Sequence, residues 1–267
     1  MKIKRILALA LAVVLAVGCM MMSACGEKAK VVVAEAESAG EEVMNTDAYF
    51  KDMTKTPVEA QRTALLDVQS GTADYAVIDY VMSIGSIGDG TDFADLKIVE
   101  NQSFAPEQYG IAFRKGSDTV NYVNKAISEM KKDGSLKKIA EKYKLEDLVL
   151  DDEAYEEVKA DDSDFEYIKK KGELVIGITY FEPMNFIDEK TKEDTGFEAD
   201  FAKAVCKKLG VKAKFQEIKW ETKETELASK NIDCIWNGMT ITDERKENMQ
   251  ISTPYMQNKQ VIVEKSK

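Results

Sequence analysis

The sequence predicts an α/β protein with two lobes, each built on a mainly parallel sheet flanked by helices. Short apolar strands alternate with amphipathic helices in two series, at 31–144 and 173–237, and this alternation is typical of parallel sheets. Residues 151–166 contain nine acids and one lysine and separate the two series. Both series also contain a helix, a serine, an aspartate four residues later and a strand, at Ser70–Asp74 and Ser229–Asp233.

The first series begins with an apolar strand at 31–36. Ser38 then suits the N-cap of a helix, because Glu41 and Glu42 favour the positive end of the helix dipole. Periodicity further predicts helices at 58–71 and 118–144, the second of them broken at Gly134, and strands at 74–79, 95–100 and 109–116.

The second series repeats this design. Periodicity predicts strands at 173–179, 212–218 and 232–237 and helices at 196–210 and 222–230. Between the two series we expect a solvated acidic linker at 145–164, because so charged a composition cannot bury a core.

Composition excludes several classes of function. The chain has 267 residues and no histidine, which rules out histidine-based catalytic triads and histidine metal sites. Its net charge of −11 argues against a nucleic-acid partner, which requires a basic face. Cys206 and Cys234 fit no metal-binding spacing; free buried thiols are the main interpretation and a disulfide is the alternative. We expect neither a cofactor nor a metal.

The N-terminus has the pattern of an export signal. A basic start, MKIKR, precedes the apolar run ILALALAVVLAVG, which is short for a membrane span. Residues 1–24 are therefore predicted to be a signal peptide that resembles those of bacterial lipoproteins. Cys25 is the expected lipidation site, and Cys19 is the alternative.

The stretch GMTITDERKE, at 238–247, is the first candidate for a binding site. Arg245 offers a planar fork of donors that fits a carboxylate, Thr240 can donate a hydroxyl, and Gly238 lets a ligand approach the backbone. The alternative is an ordinary strand end with an N-cap at Thr242 and a surface arginine.

Three stretches of the second series carry a specific pattern: ELVIGITYFEPMNF (173–186), TGFEADFAKAVCKKLGVKAKFQEIKW (195–220) and NIDCIWNGMTITDERKENMQISTPYMQNKQVIVEK (231–265). They resemble the amino-acid-binding family of bacterial extracytoplasmic solute-binding proteins, the receptors of ABC importers. Residues 30–144 resemble that family's second lobe and C-terminal helices, through EAESAGEE, GTADYAVIDY and the run from Glu107 to Tyr143. The resemblance implies a two-lobed, type 2 periplasmic-binding-protein-like fold with hinge crossover strands between the lobes.

The order of the blocks differs from that of the family, whose chains begin with the GITYFEPMNF block. The sequence therefore looks circularly permuted, and a mis-assembled gene is the alternative. We expect lobe two at 30–108, a crossover strand and helices packing on lobe one at 109–144, the linker at 145–164 and lobe one at 165–264. With the C-terminal strand ending the chain, a single covalent crossover is expected.

The resemblance also implies a site. Arg245 would bind the ligand carboxylate, helped by Thr240 and by the helix N-terminal amides at Ser38 and Ala39. Asp79 would face the ammonium group. The other implied contacts are backbone carbonyls near Asn237 and Gly238, Trp220 as a stacking wall and Phe181 as the opposite wall. Thr179 and Glu182 depart from the family pattern, and Glu35 occupies a position that tunes side-chain recognition.

The resemblance thus implies a receptor, lipid-anchored to the cell membrane, that delivers a polar amino acid to the permease subunits of an ABC importer. Glutamine, cystine and basic amino acids are the leading ligands, and a monomer is expected. The alternatives are a ligand-binding sensor domain, a dehydratase-like enzyme on the same fold with Glu182 as its acid, and a remnant that no longer binds.

Overall fold

The computed structural model describes residues 29–161 and 163–266. The signal peptide predicted at 1–24 and the candidate lipidation sites Cys19 and Cys25 lie outside these residues. No helix in the described ranges is long and apolar enough to cross a membrane. Within the same ranges, no cluster of three or more His, Cys, Asp or Glu side chains could hold a metal ion.

The elements alternate as the sequence predicts. The strands are β1 (Val31–Glu35), β2 (Thr54–Val58), β3 (Tyr75–Asp79), β4 (Leu96–Ile98), β5 (Pro106–Tyr109), β6 (Ala112–Arg114), β7 (Glu173–Ile178), β8 (Phe186–Ile187), β9 (Asp194–Thr195), β10 (Lys212–Glu217), β11 (Cys234–Ile235), β12 (Met249–Ile251) and β13 (Met256–Lys265). The α-helices are α1 (Ala39–Thr46), α2 (Gln61–Ser70), α3 (Tyr80–Ser86), α4 (Thr119–Lys132), α5 (Ser135–Glu141), α6 (Asp164–Lys171), α7 (Phe197–Leu209), α8 (Lys223–Ala228) and α9 (Asp243–Asn248).

Two mixed sheets organise these elements, one in each lobe. The first has the order β2-β1-β3-β13-β4, with β5 paired to β13, and the second has the order β10-β7-β11-β6-β12. Strands β1, β2 and β3 run parallel, as do β7, β10 and β11, while β13 and β6 are antiparallel to their neighbours. This is the α/β, two-lobed arrangement that the sequence predicts.

Strand β2 escapes sequence prediction because its residues, TKTPV, are polar and include Pro57. Proline cannot donate to a ladder and is tolerated at a sheet edge, which is where β2 lies. Cys206 and Cys234 are both buried and free, as the main interpretation held.

Two chain segments pass between the sheets. Residues 110–111 connect β5 to β6, and residues 252–255 connect β12 to β13. The expectation of a single covalent crossover is therefore wrong, because β13 continues from β12 into the centre of the first sheet, between β3 and β4. Residues 256–265, assigned by sequence mostly to lobe one, lie in the sheet of lobe two.

The acidic segment is held more firmly than a solvated linker. The Leu150 N–H donates to the Tyr255 carbonyl at 3.0 Å, and the Asp161 N–H donates to the Gly116 carbonyl at 3.0 Å. Between them, the Val158 N–H donates to Asn121 Oδ1 at 2.8 Å. A charged composition predicts that the side chains of this segment face water, but it does not predict which backbone groups form hydrogen bonds.

Candidate functional site

A narrow cavity lies between the two sheets, where polar side chains follow β1, β3 and β11. Its volume is only about 10 Å³, so its two walls lie close together. The lining residues are Glu35, Ser38, Ala39, Gln61, Asp79, Trp220, Asn237, Gly238, Thr240 and Arg245. Nine of these residues are among the candidates that the sequence analysis names; the tenth, Gln61, is not. Segments far apart in the sequence therefore converge on one small space.

Arg245 lies in the first turns of α9, whose N-cap is Thr242. The Thr242 hydroxyl accepts from the Arg245 N–H at 3.2 Å, which fixes the start of this helix. The guanidinium donates through Nη1 to the Thr240 carbonyl at 2.7 Å and through Nη2 to the Glu37 carbonyl at 3.2 Å. Because Glu37 belongs to the other lobe, the arginine bridges the cavity, with no carboxylate within 4.0 Å among the described residues.

Asp79 ends β3 and is fully enclosed. Its carboxylate accepts hydrogen bonds from the side-chain amides of Gln61, Asn258 and Gln260. Burial raises the pKa of Asp79, and these amide donors oppose that rise. Three neutral donors hold the carboxylate in place without neutralising its charge, so it can still attract a cation.

Glu107, on β5, lines a groove beside the cavity and was missed by sequence reasoning. Its Oε2 accepts from Thr240 Oγ1 at 2.9 Å and from the amides of Asn258 and Gln260, each at 3.0 Å. Burial raises its pKa, and the nearby charge of Asp79 raises it further. The glutamate thus connects a crossover strand to both lobes; its polar surroundings in the sequence, PEQY, gave no signal of burial.

Trp220 covers one end of the cavity and is 4% exposed. Two cations lie near its ring: Lys223 Nζ at 4.9 Å and the Arg245 guanidinium carbon at 5.9 Å from the centroid. Lys223 is itself buried and donates to the Glu37 carbonyl at 3.2 Å. Burial, reinforced by Arg245, lowers the pKa of Lys223 to about 8.

The backbone turn at Asn237 and Gly238 is held from below by a buried acid. Glu198, on α7, accepts from the Gly238 N–H at 2.8 Å, from Asn185 at 2.8 Å and from the Tyr255 hydroxyl. Burial raises the pKa of Glu198 to about 7. Gly238 has φ +56, and a Cβ there would lie 2.9 Å from the Phe181 ring, so a side chain at this position would disturb the cavity wall.

Three predicted residues do not line the cavity. Phe181 packs behind Gly238, as just described. Thr179 exchanges hydrogen bonds with Asn237 and faces a neighbouring groove instead. Glu182 is exposed on the loop after β7, so it has no place against a ligand in this cavity.

The two predicted amide donors do lie at the cavity. Ser38 caps α1, with its Oγ accepting from the Glu41 N–H at 3.1 Å, and Ala39 is the first helical residue. The positive end of this eight-residue helix therefore faces the cavity from lobe two, opposite the Arg245 guanidinium of lobe one.

Comparison with known proteins matches residues 174–267 to the bacterial extracellular solute-binding proteins, family 3. The L-cystine-binding protein TcyJ of Escherichia coli (strain K12) is 39% identical over 97 residues, which is 36% of each chain. The L-cystine-binding protein TcyA of Bacillus subtilis (strain 168) is 34% identical over 99 residues, 37% of each chain. The chain thus spans just over a third of the length of these curated relatives.

Two further matches cover similar shares. The glutamine-binding protein of Geobacillus stearothermophilus is 34% identical over 116 residues, 41% of this chain and 44% of that one. Among solved structures, the arginine-bound form of domain 1 from TmArgBP is 34% identical and covers 38% of this chain and 84% of that one. Its TM-score of 0.34 is too low to compare the folds as wholes.

Proposed function

We propose, from the premise that residues 174–267 belong to the bacterial extracellular solute-binding proteins, family 3, that the whole chain is an amino-acid receptor of an ABC importer. It captures a polar amino acid between its lobes by hinge closure and delivers it to permease subunits. The observation that carries this proposal is the cavity between the sheets, where Arg245 lies on one wall and Asp79 on the other.

The two walls suit the two charges of a free amino acid. Arg245, with the N-terminal end of α1 opposite, offers donors to the carboxylate, and Asp79 and Glu107 offer acceptors to the ammonium group. An enclosed ion needs such a partner, because an unpaired buried charge is costly. Trp220 supplies a flat apolar surface for the stem of a side chain.

Calorimetric titration with the twenty standard amino acids tests this proposal. We expect one or a few polar amino acids to bind and apolar ones to bind far more weakly, with glutamine, cystine and basic amino acids as the leading ligands. Binding of none of them would contradict the proposal. A sensor domain would share the binding step, so stimulation of ATP hydrolysis by the reconstituted importer is the measurement that separates a receptor from a sensor.

A dehydratase-like activity is the weaker alternative. It would need an acid in the cavity, and Glu182, the candidate from the sequence, is exposed outside it. We therefore propose binding without chemical turnover. We also propose that Cys25, or alternatively Cys19, carries a lipid that holds the receptor, as a monomer, at the outer face of the cell membrane.

We further propose that the chain is circularly permuted, with lobe one at 165–255, lobe two at 30–109 together with 256–265, and helices 119–141 packed on lobe one. Val32 pairs with Tyr75 and Val263 with Ala76, on the two sides of β3. The ends of the described chain thus lie about two strand spacings, roughly 10 Å, apart at the same end of the strands. Reopening the chain within the acidic segment and joining Ser266 to Ala29 by a short Gly/Ser loop should give a protein with the same ligand preference.

A further inference from the structure

Glu198, in the first turn of α7, is a fully buried acid that contacts both the cavity wall and a connection between the lobes. Its Oε1 accepts from the Gly238 N–H at 2.8 Å and from the hydroxyl of Tyr255. Tyr255 belongs to the segment 252–255, which passes from one sheet to the other. One carboxylate oxygen thus joins the turn that lines the cavity to one of the two connections between the lobes.

The other carboxylate oxygen of Glu198 begins a chain of side-chain amides. Its Oε2 accepts from Asn185 Nδ2 at 2.8 Å, and the same nitrogen donates to Asn237 Oδ1 at 3.1 Å. Asn237 in turn exchanges two hydrogen bonds with Thr179, at 2.9 and 2.6 Å. Asn185 Oδ1, by contrast, is buried without a hydrogen-bond partner among the described residues. The chain of amides therefore ends in one acceptor that is not used.

These partners suit an ionised carboxylate. All three groups that contact the Glu198 carboxyl donate to it, and an ionised carboxyl only accepts. A proton on Oε2 would face the amide hydrogens of Asn185, so Asn185 would have to turn its unused Oδ1 towards that proton. The same rotation would take Nδ2 away from Asn237 and set two carbonyl oxygens against each other. A change of charge at Glu198 would thus reach the cavity wall through Asn185.

We propose that Glu198 is a positioning residue for the ligand: its carboxylate holds the turn at Asn237 and Gly238 in the geometry that binds an amino acid, and a proton on it loosens this turn and weakens binding. The proposal rests on the proposed function and adds a dependence on pH to it. Glu198 acts through the turn, because it lies behind Gly238 and is not among the residues that line the cavity.

The surroundings of Glu198 place its titration near neutral pH. Burial raises the pKa of Glu198 to about 7, and its three hydrogen bonds oppose that rise. The titratable groups that face it are Tyr255 of the connecting segment and, through its charge, Asp79 of β3, with the Tyr109 ring of β5 lying 6.4 Å from that of Tyr255. Within the described ranges, no lysine or arginine forms a salt bridge with it. Since the ionised form is the binding form, ligand affinity should rise as the pH passes upward through about 7, with release of protons on binding.

The experiment compares the unmodified protein with Glu198→Gln across pH. A glutamine cannot ionise, and its amide nitrogen would face Asn185 as a protonated carboxyl does, so the variant imitates the protonated form. The probe is the tightest binder among the twenty standard amino acids and L-cystine, titrated by calorimetry at about pH 5.5, about pH 7 and about pH 8.5. We expect similar affinities of the two proteins at the lowest pH and about fivefold or more tighter binding by the unmodified protein at the highest. Other groups titrate in both proteins alike, so the ratio of affinities isolates Glu198, and the exposed control Glu166→Gln should match the unmodified protein throughout.

A second variant tests the direction of the effect. Tyr255→Phe removes a donor to the Glu198 carboxylate, and this donor lowers the pKa of Glu198. The midpoint of the pH dependence of affinity should therefore move to higher pH. This measurement keeps the proposal testable even if the Glu198→Gln variant does not fold.

Two results would overturn the role of Glu198 while leaving the receptor function intact. One is a ratio of affinities between the unmodified protein and Glu198→Gln that is the same at all three pH values, because a purely structural defect causes a constant loss. The other is an unmoved midpoint in Tyr255→Phe. Failure of every amino acid in the panel to bind would overturn the receptor function, and this proposal with it.

Discussion

The two walls of the cavity are built in different ways. The wall of lobe one comes from a single run, 220–245, in which Trp220, Asn237, Thr240 and Arg245 follow one another within 26 residues. The wall of lobe two combines the ends of β1 and β3, and Glu107 on β5 lies beside it. Its Asp79 is held by amides of β13 that lie 179 and 181 residues away in the sequence. One wall is specified locally and the other by long-range pairing.

The walls also differ in charge, and this difference explains why both are needed. Lobe one contributes the enclosed cations, Arg245 and Lys223, whereas lobe two and its crossover strand contribute Glu35, Asp79 and Glu107. Each wall alone leaves charges without partners. Under the proposed function, a zwitterionic ligand would complete both walls at once, and its binding would then favour closure of the lobes.

The largest loss of ligand affinity is expected from a substitution in the lobe-one wall. Arg245→Ala removes the fork of donors that faces the ligand carboxylate, and truncating one partner of a buried charged pair costs roughly 2–5 kcal/mol of binding free energy. Lys246→Ala, on the same helix and exposed, is the matched control and should change affinity less than about threefold. Calorimetry with the ligand found in the amino-acid panel measures both. Similar affinities of the two variants would remove Arg245 from the site.

The next largest effect on ligand affinity is expected from a substitution in the lobe-two wall. Asp79→Asn keeps the shape of the side chain and removes the charge that attracts the ammonium group. Three side-chain amides donate to the Asp79 carboxylate, and the variant's own amide nitrogen cannot accept from them. A loss of affinity alone would therefore not separate the missing charge from these lost hydrogen bonds. The ratio of affinities for the amino acid and for its deaminated analogue isolates the ammonium contribution. We expect this ratio to fall about tenfold or more, and a constant ratio would place the ammonium elsewhere.

The two walls differ in how many of their residues can be predicted from the sequence. Arg245 and Thr240 lie in a run whose residue types already suggest their chemistry, and the strand–helix alternation predicts where the run leaves its sheet. Local pattern suggested Arg245 and Thr240, whereas Asp79 and Trp220 were named only through the family resemblance.

Residues that reach the site through contacts distant in the sequence could not be predicted from the local sequence pattern. Glu107 stands in a polar stretch for which periodicity predicts no strand, and only the pairing of β5 with β13 brings it beside Asn258 and Gln260. Gln61 begins an ordinary predicted helix, and nothing local shows that it donates to Asp79. Glu198 looks like a first-turn acid of α7, which favours the helix dipole, and nothing local shows that it is buried beneath Gly238. Acidity predicts exposure in most sequences, so buried acids are the residues that such reasoning misses.

Glu107 gives a third test, because it connects the two walls. Glu107→Gln should weaken binding by roughly 1–2 kcal/mol, since it removes a charge near the ligand ammonium but keeps a hydrogen-bond acceptor. Thr240→Val removes the hydroxyl that donates to it. If the two act as a unit, the double variant should lose less affinity than the sum of the single losses. Strict additivity would show that Glu107 acts independently of the lobe-one wall.

Glu198 is an exception to the separation of cations on the lobe-one wall from acids on the lobe-two wall, because it is a buried acid beneath the lobe-one wall. Its pKa is raised from 4.5 to about 7, and that of Glu35 from 4.5 to about 8, so both bind their protons more tightly in the folded state. The stabilisation is complete below about pH 4.5 and is lost as the pH rises through 7 to 8. Urea unfolding of the ligand-free protein should show the free energy of unfolding falling between about pH 5 and about pH 8 by several kcal/mol, since each unit of pKa difference corresponds to about 1.4 kcal/mol.

A variant can assign part of this slope. Glu198→Gln cannot ionise, so its free energy of unfolding should depend less on pH, whereas the exposed control Glu166→Gln should keep the original slope. A slope unchanged in Glu198→Gln would mean that this acid titrates alike in the folded and unfolded chains.

The smallest expected effect comes from a contact that joins the walls at the surface. Lys219 Nζ lies 3.0 Å from Glu59 Oε1, across the lobes, but the two side chains are 61% and 68% exposed. Water and salt screen such a pair, and holding two long side chains together costs entropy. Lys219→Ala should therefore change ligand affinity less than about threefold at physiological salt.

Lys223, four residues later, also crosses between the lobes but is buried, so Lys223→Met should have a larger effect on affinity than Lys219→Ala. Titrating both variants at low and high salt decides the matter: equal effects of the two substitutions would mean that contact between the lobes, rather than burial of charge at the cavity, sets the strength of closure.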